Sequence, residues 1–233
     1  MTESDEILAI PLWINGHAYL TMAPAFFDVR DVRSGKVRRR TPLCGAAEAL
    51  AAVESARNAL AAWAALKAEA RATLLAALAD ALAGYAEHFA GLIAEETGKD
   101  AVAAAAEVSA ALQVLRTATA STVATGGGVV AVVSDDRAPL LGPLQQAAPA
   151  LLAGATLVLK PSPKAPSAVF ALAELTARSG FPGGVVNILQ GDLAAIEGLC
   201  AAAEVSRLLF AGDPALGSKV AAIASRHGKP FVD

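Results

Sequence analysis

Residues 149–163 read Pro149-Ala150-Leu151-Leu152-Ala153-Gly154-Ala155-Thr156-Leu157-Val158-Leu159-Lys160-Pro161-Ser162-Pro163. A helix-like run ends at a glycine, an apolar run follows, and a lysine beside proline breaks it. Thr156 to Leu159 reads as a buried strand. Gly154 stands where the preceding helix should end, since glycine takes the left-handed conformation a helix end needs. Three further runs of this kind surround it: Val129 to Val133, Val185 to Leu189, and Leu208 to Phe210. Helix-like segments lie at 143–153, 166–178, 193–202 and 214–226. Gly180 marks a second helix end, and Asp213 before Pro214 has the form of an N-cap with proline in the first helical position. Parallel strands need a crossover of about a dozen residues, so this alternation predicts an α/β fold. The expectation for 126–233 is a Rossmann-like parallel sheet with flanking helices.

Residues 1–125 read as an N-terminal strand and helix region. Trp13-Ile14-Asn15-Gly16 joins an apolar pair to a turn dipeptide and suits a hairpin. Phe26, Phe27, Val29 and Val32, interleaved with polar residues, predict a further strand ending at Ser34-Gly35-Lys36. Leu50, Val53, Arg57, Leu60 and Trp63 recur near helical spacing. A second amphipathic helix is expected from Leu74 through Tyr85 towards Glu95-Glu96-Thr97, with Gly98 as its stop. Val108, Leu112 and Leu115 mark a third. These stripes are core packing.

The 233 residues are enough to bury a sizeable core. Hydrophobic residues make up 55%, largely alanine, which favours helices rather than membrane anchoring. No run of about 18 strongly apolar residues occurs, so no membrane span is expected. The acidic start Met1-Thr2-Glu3-Ser4-Asp5-Glu6 lacks the basic character of a targeting peptide, and predicts a cytoplasmic protein. Net charge is −3 and the basic residues are scattered, which argues against nucleic acid. The one basic run, Lys36 to Arg40, is expected as a solvated loop or strand end. Cys44, Cys200, His17, His88 and His227 are isolated from one another, so neither a metal site nor a disulfide framework follows.

Sheets of this kind bind ligands outside the carboxyl ends of their strands. That places attention on Ser134 to Arg137, Lys160 to Pro163, Gln190 to Asp192 and Ala211 to Asp213. Lys160, a cation at a strand end, reads equally as a group reaching a nucleotide and as a snorkelling surface lysine. Gly126-Gly127-Gly128 precedes a strand, whereas a dinucleotide fingerprint follows one, and so reads as a connection.

The same strand ends resemble the aldehyde dehydrogenase superfamily. Residues 149–163 follow the family's PALAAGNTVVLKPS pattern. Ala173-Glu174-Leu175 and then Gly180-Phe181-Pro182-Gly183-Gly184-Val185-Val186-Asn187-Ile188-Leu189-Gln190-Gly191 follow its GxPPGVVNVVxG segment. Phe210-Ala211-Gly212-Asp213 stands where the family has FTGS. Trp13 to Gly16, Ala62-Trp63 and Glu96-Thr97-Gly98-Lys99 also match, in order over nearly the whole chain. The resemblance implies an NAD(P)-binding domain across 1–233, with Lys160 on the adenosine ribose and the pyrophosphate near the helix beginning around Pro214. A helix N-terminus, with unpaired N–H groups and partial positive charge, suits that place. The cofactor-binding residues expected on this basis are Lys160, Ser162, Gly191, Gly212 and Asp213.

Four departures qualify what the resemblance implies. Asp135-Asp136-Arg137-Ala138-Pro139 aligns with the family's PWNFP, so Arg137 replaces the asparagine that donates to an oxyanion. Asp213 replaces the FTGS serine; its carboxylate would repel phosphate or cap its own helix. The stretch between Leu115 and Val129 is short where the family places an oligomerisation hairpin. The matching residues run out at Pro230-Phe231-Val232-Asp233, before the family's glutamate and its nucleophilic cysteine. Aldehyde oxidation in this family needs a thiolate to form a hemithioacetal that gives up hydride. Cys44 and Cys200 do not align with that thiol and are expected to pack in the core. The resemblance therefore carries over no catalytic residue, and the catalytic domain is expected to be absent. NAD or NADP is expected to bind weakly or not at all. The partner is expected to be a second chain completing a split dehydrogenase or another copy of this one, and a scaffold role is the alternative to any enzymatic one.

Overall fold

A computed structural model describes residues 7–118 and 128–233. The acidic start and most of the glycine run, together with most of the shortened stretch after Leu115, lie outside these residues.

The chain opens with a hairpin, β1 (Leu12–Ile14) and β2 (His17–Tyr19), turned by Asn15 and Gly16, both at positive φ (54° and 80°). A turn with two left-handed residues matches the twist of paired strands, which explains the Asn-Gly dipeptide. β3 (Phe26–Arg30) pairs antiparallel with β4 (Val37–Pro42). The strand expected through Val32 therefore stops at Arg30. Asp31 turns the chain by accepting the amides of Arg33 and Ser34 on its carboxylate. Of the two alternatives for the basic run, the strand end holds: Val37 to Arg40 open β4, with Arg38 and Arg40 exposed. Arg38 and Arg39 share Glu95, and Arg40 pairs with Asp28.

Four helices follow: α1 (Ala46–Ala65), α2 (Ala68–Gly84), α3 (Ala86–Thr97) and α4 (Ala101–Thr117). The single helix expected from Leu74 to Thr97 is thus two. Tyr85 leaves helical geometry at φ −118°, ψ 16°, directly after the poor helix former Gly84. The break lets α2 and α3 change direction while both pack against α4 and the later α6, and α2 reaches α5 as well. Gly98 does end α3, at φ 75°. Arg71 ties the first two helices to the sheet layer. Its buried guanidinium donates to the carbonyls of Leu152, Trp63, Ala64 and Leu66.

The second half alternates as read: β5 (Val129–Ser134), α5 (Leu141–Leu152), β6 (Thr156–Lys160), α6 (Ser167–Arg178), β7 (Val186–Ile188), α7 (Leu193–Ala201), β8 (Val205–Ala211), α8 (Pro214–Arg226) and β9 (Phe231–Val232). β8 begins three residues earlier than the apolar run: Val205 and the partly exposed Arg207 pair with β5, while the exposed Ser206 between them falls at a register shift. The described residues form a seven-stranded sheet in the order β2-β1-β7-β6-β5-β8-β9, parallel from β7 to β9. The N-terminal hairpin joins its edge, with Trp13 opposite Ile188 in antiparallel pairing.

The central strands are buried on both faces, as their unbroken apolar runs require. Val130, Val132, Leu157, Leu159 and Leu209 face one core, with α2 to α6. Val129, Ala131, Val133, Val158, Leu208 and Phe210 face the other, with α1, α7 and α8. From β5 the chain moves outward through β6 to β7, then returns to lay β8 on the opposite side of β5. The reversal opens a crevice at the carboxyl ends of β5 and β8, the place where open α/β sheets take ligands.

Candidate functional site

Two groups of side chains occupy the strand ends. The first is built on β6 and β7. Lys160 closes β6 with only 4% of its surface exposed, so it is no snorkelling surface lysine. Burial lowers its pKa from 10.5 to about 8, and the nearby Asp192 carboxylate offsets part of that. Asp192 caps α7 by accepting the Ala194 amide at 3.1 Å, so one carboxylate serves both helix and lysine. Gln190, two residues beyond the Ile188 that pairs with Leu159, is fully buried. Neither its amide nitrogen nor its oxygen has a hydrogen-bond partner. Such a group is costly unless something meets it.

Ser162 sits in the turn after β6, where its hydroxyl donates to Asp136 at 3.3 Å and accepts the Lys164 amide at 3.3 Å. Gly191 follows Gln190 at φ 138°, and a Cβ there would lie 2.8 Å from the Ala195 Cβ and 3.1 Å from the Cys44 carbonyl. Its glycine is explained by close passage of the chain's own backbone.

The second group closes the crevice between β5 and β8. Asp135, nearly buried, accepts the Arg137 amide at 2.9 Å on one oxygen and the Asp213 amide at 2.7 Å on the other. Gly212 must pass this carboxylate; a Cβ would come within 2.5 Å of the Asp135 Cγ. Asp213 caps α8 through the Ala215 amide at 2.7 Å, and its other oxygen pairs with the Arg137 guanidinium. The Ala215 amide first, and then Arg137, hold the Asp213 carboxyl below the usual range. Beside them lies a cleft of about 270 Å³, lined by Arg137, Gln145, Gln146, Phe210, Gly212 and Pro214.

All five expected cofactor residues thus stand at strand ends. The Ser162–Asp136 bond and the Asp135-Asp136-Arg137 segment link the two groups. Sequence reasoning missed Asp135 as the bridge between two loops and Asp192 as the counter-charge of Lys160. Asp135 directly follows β5 and Asp192 lies in the turn between β7 and α7, and that place after a strand is the one signal that pointed towards them. The thiols are elsewhere. Cys44 and Cys200 are buried in the α1–α7–α8 core, where burial pushes them up to about 12 and about 11. Among the described residues no group of His, Cys, Asp or Glu could hold a metal ion, and no helix is long and apolar enough to cross a membrane.

A family model described as the aldehyde dehydrogenase family matches residues 21–232. Human mitochondrial methylmalonate-semialdehyde/malonate-semialdehyde dehydrogenase (acylating) is 27% identical over 97% of this chain and 46% of its own length. The NADP+-dependent succinate-semialdehyde dehydrogenase of Escherichia coli is 31% identical over 83% of this chain and 44% of its own length. Among solved structures, methylmalonate-semialdehyde dehydrogenase from Oceanimonas doudoroffii superposes with a TM-score of 0.89 at 25% identity, over 97% of this chain and 50% of that one. A mutant aldehyde dehydrogenase from Pseudomonas syringae, crystallised with NAD+ and octanal, gives 0.83 at 28% identity, over 96% and 49%. The chain spans about half the length of the relatives it matches.

Proposed function

From the premise that this chain belongs to the aldehyde dehydrogenase family, we propose that these 233 residues are the nucleotide-binding half of an NAD(P)-dependent aldehyde oxidoreductase fold. On their own they hold nucleotide weakly and oxidise no aldehyde. The observation that carries this reading is the contrast between the two ends of the strand-end site. The ribose end fits a nucleotide: Lys160 supplies a buried cation, and Gln190 an amide with its hydrogen-bonding capacity unspent. The pyrophosphate end does not fit. Asp213 fills the N-terminus of α8 with the chain's own carboxylate, where a phosphate would need the same N–H groups. A dinucleotide would thus meet a competent site for its adenosine and a like charge for its phosphates.

The thiols support the second clause. A nucleophilic cysteine must be reachable and ionised near neutral pH. Cys44 and Cys200 are buried among apolar side chains and remain protonated there. Calorimetric titration with NAD and NADP tests the first clause, and NADH formation over a panel of aldehydes tests the second. Dissociation constants in the high micromolar range or weaker, and no NADH, are expected. Submicromolar binding or turnover by these residues alone overturns the proposal.

A second reading has its own support. Among the described residues β9 is hydrogen-bonded to β8 alone, with Phe231 and Val232 half-buried, so one sheet edge stands open beside the crevice. An open edge is a template for another strand. A second chain adding strands there and a thiol to the crevice would complete a split dehydrogenase. Native co-purification of such a chain, with aldehyde-dependent NADH formation by the pair, would favour it. Isolation as a lone monomer would count against it. Loss of all nucleotide binding in a folded chain would instead favour a scaffold.

A further inference from the structure

The misfit at the pyrophosphate end is an organised one. Asp135, Arg137 and Asp213 form one bonded unit across the crevice. One Asp213 oxygen takes the Ala215 amide and the other takes the Arg137 guanidinium. Asp135 holds both loops by their backbones, and its Oδ2 lies 3.8 Å from the Arg137 Nε. An ordinary N-cap needs no such partner: Asp100 caps α4 by accepting the Ala103 amide alone. Here the capping anion is held by a cation from the neighbouring strand end, at the point where the sheet reverses its order.

We propose that Arg137 and Asp213 form a latch over the crevice, in which Asp213 stands in for a ligand phosphate at the N-terminus of α8 and Arg137 holds it there. The proposal rests on the nucleotide reading for its ligand, a pyrophosphate-bearing compound. To seat, the ligand displaces the Asp213 carboxylate from the Ala215 amide. Arg137 then passes from carboxylate to phosphate, an anion its planar fork accepts equally well. The parts suit the motion. The Arg137 side chain is 62% exposed and has room to turn, while that of Asp135 is 8% exposed. Asp135 is fixed by two backbone bonds and by the close passage of Gly212, and serves as the immobile pin.

Four proteins test the latch: the chain itself, D213S, R137N and the double variant. Each is titrated with NAD by calorimetry, and with inorganic pyrophosphate while the Ala215 and Leu216 amides are followed by NMR. Serine caps helices as well as aspartate does, so D213S removes the charge and keeps the cap. D213S is expected to bind NAD about tenfold more tightly, the scale of one charge-assisted contact replacing a like-charge one. Pyrophosphate should shift the Ala215 amide in D213S at concentrations that leave the parent unchanged. R137N should not tighten binding, and the double variant should lose most of the D213S gain, since the freed guanidinium is the phosphate's new partner. The latch is overturned if D213S stays within twofold of the parent and Ala215 does not respond. It is equally overturned if R137N tightens binding as much as D213S does. A pyrophosphate response in D213S without NAD binding by any variant upholds the latch and removes the nucleotide reading.

Discussion

Replacing Lys160 by methionine should make the chain more stable and abolish its residual nucleotide binding. The ammonium is almost wholly buried, and burial brings its pKa from 10.5 to about 8. At 1.36 kcal/mol per unit, the charged form costs the folded state about 3 kcal/mol relative to the unfolded chain. Methionine keeps the aliphatic stem and removes the charge, so a gain of about 1–3 kcal/mol is expected at pH 7, with imperfect packing setting the lower figure. The folded pKa is depressed, so this contribution to stability is present above pH 10.5 and lost as pH falls through 8. The gap between Lys160→Met and the parent should therefore be full at pH 7 and close as pH climbs from 8 to 10.5. Urea unfolding followed by tryptophan fluorescence, at intervals from pH 6.5 to 10.5, measures both curves, and calorimetry with NAD measures the functional loss. A Lys160→Met chain less stable than the parent at pH 7 would mean that the ammonium has contacts outweighing its desolvation. A gap that stays constant with pH would refute the electrostatic argument altogether.

Two further outcomes follow from side chains around the site. Burial pushes the Glu96 carboxyl up to about 7, against the opposing pull of Ser167 and Arg39. A raised carboxyl favours the folded state fully below pH 4.5, and that stability is lost as pH rises through 7. Glu96→Gln should remove this slope, losing about 1–3 kcal/mol less than the parent between pH 5.5 and 7.5. Parallel urea midpoints at the two pH values would contradict it. Gly212→Ala would set a methyl 2.5 Å from the Asp135 Cγ. Because that carboxylate is pinned by two amides, relief requires breaking the bridge, at a cost of about 1–3 kcal/mol. An unchanged thermal midpoint would show that the bridge yields freely.

Much of the second half was legible because its strands are buried on both faces and its helix ends carry glycine, aspartate or proline. Gly154 and Gly180 end their helices at φ 93° and 84°, and Asp213 caps α8 as its place before Pro214 implied. The break at Tyr85 was not legible, since apolar spacing continues across it and the turn serves to lay both α2 and α3 against α4 and α6, contacts distant in sequence. The start of β8 was hidden for a related reason: Val205 and Arg207 earn their place by pairing with β5 around an irregularity at Ser206, which apolar patterning does not record. The partners of the solvated run Lys36 to Arg40 were not legible, because Asp28 and Glu95 come from another strand and a helix.

Periodicity, helix-end residues and the order of strands and helices thus determined the fold class, and they brought attention to the residues after each strand. These are local properties, carried by bonds between near neighbours. The state of the site was decided by tertiary structure alone. Lys160 and Asp192, Asp135 and Asp213, and Arg137 and Asp213 are separated by 32, 78 and 76 positions. Whether such charges oppose a ligand or neutralise one another depends on the distance between them, and only the closed sheet brings them together.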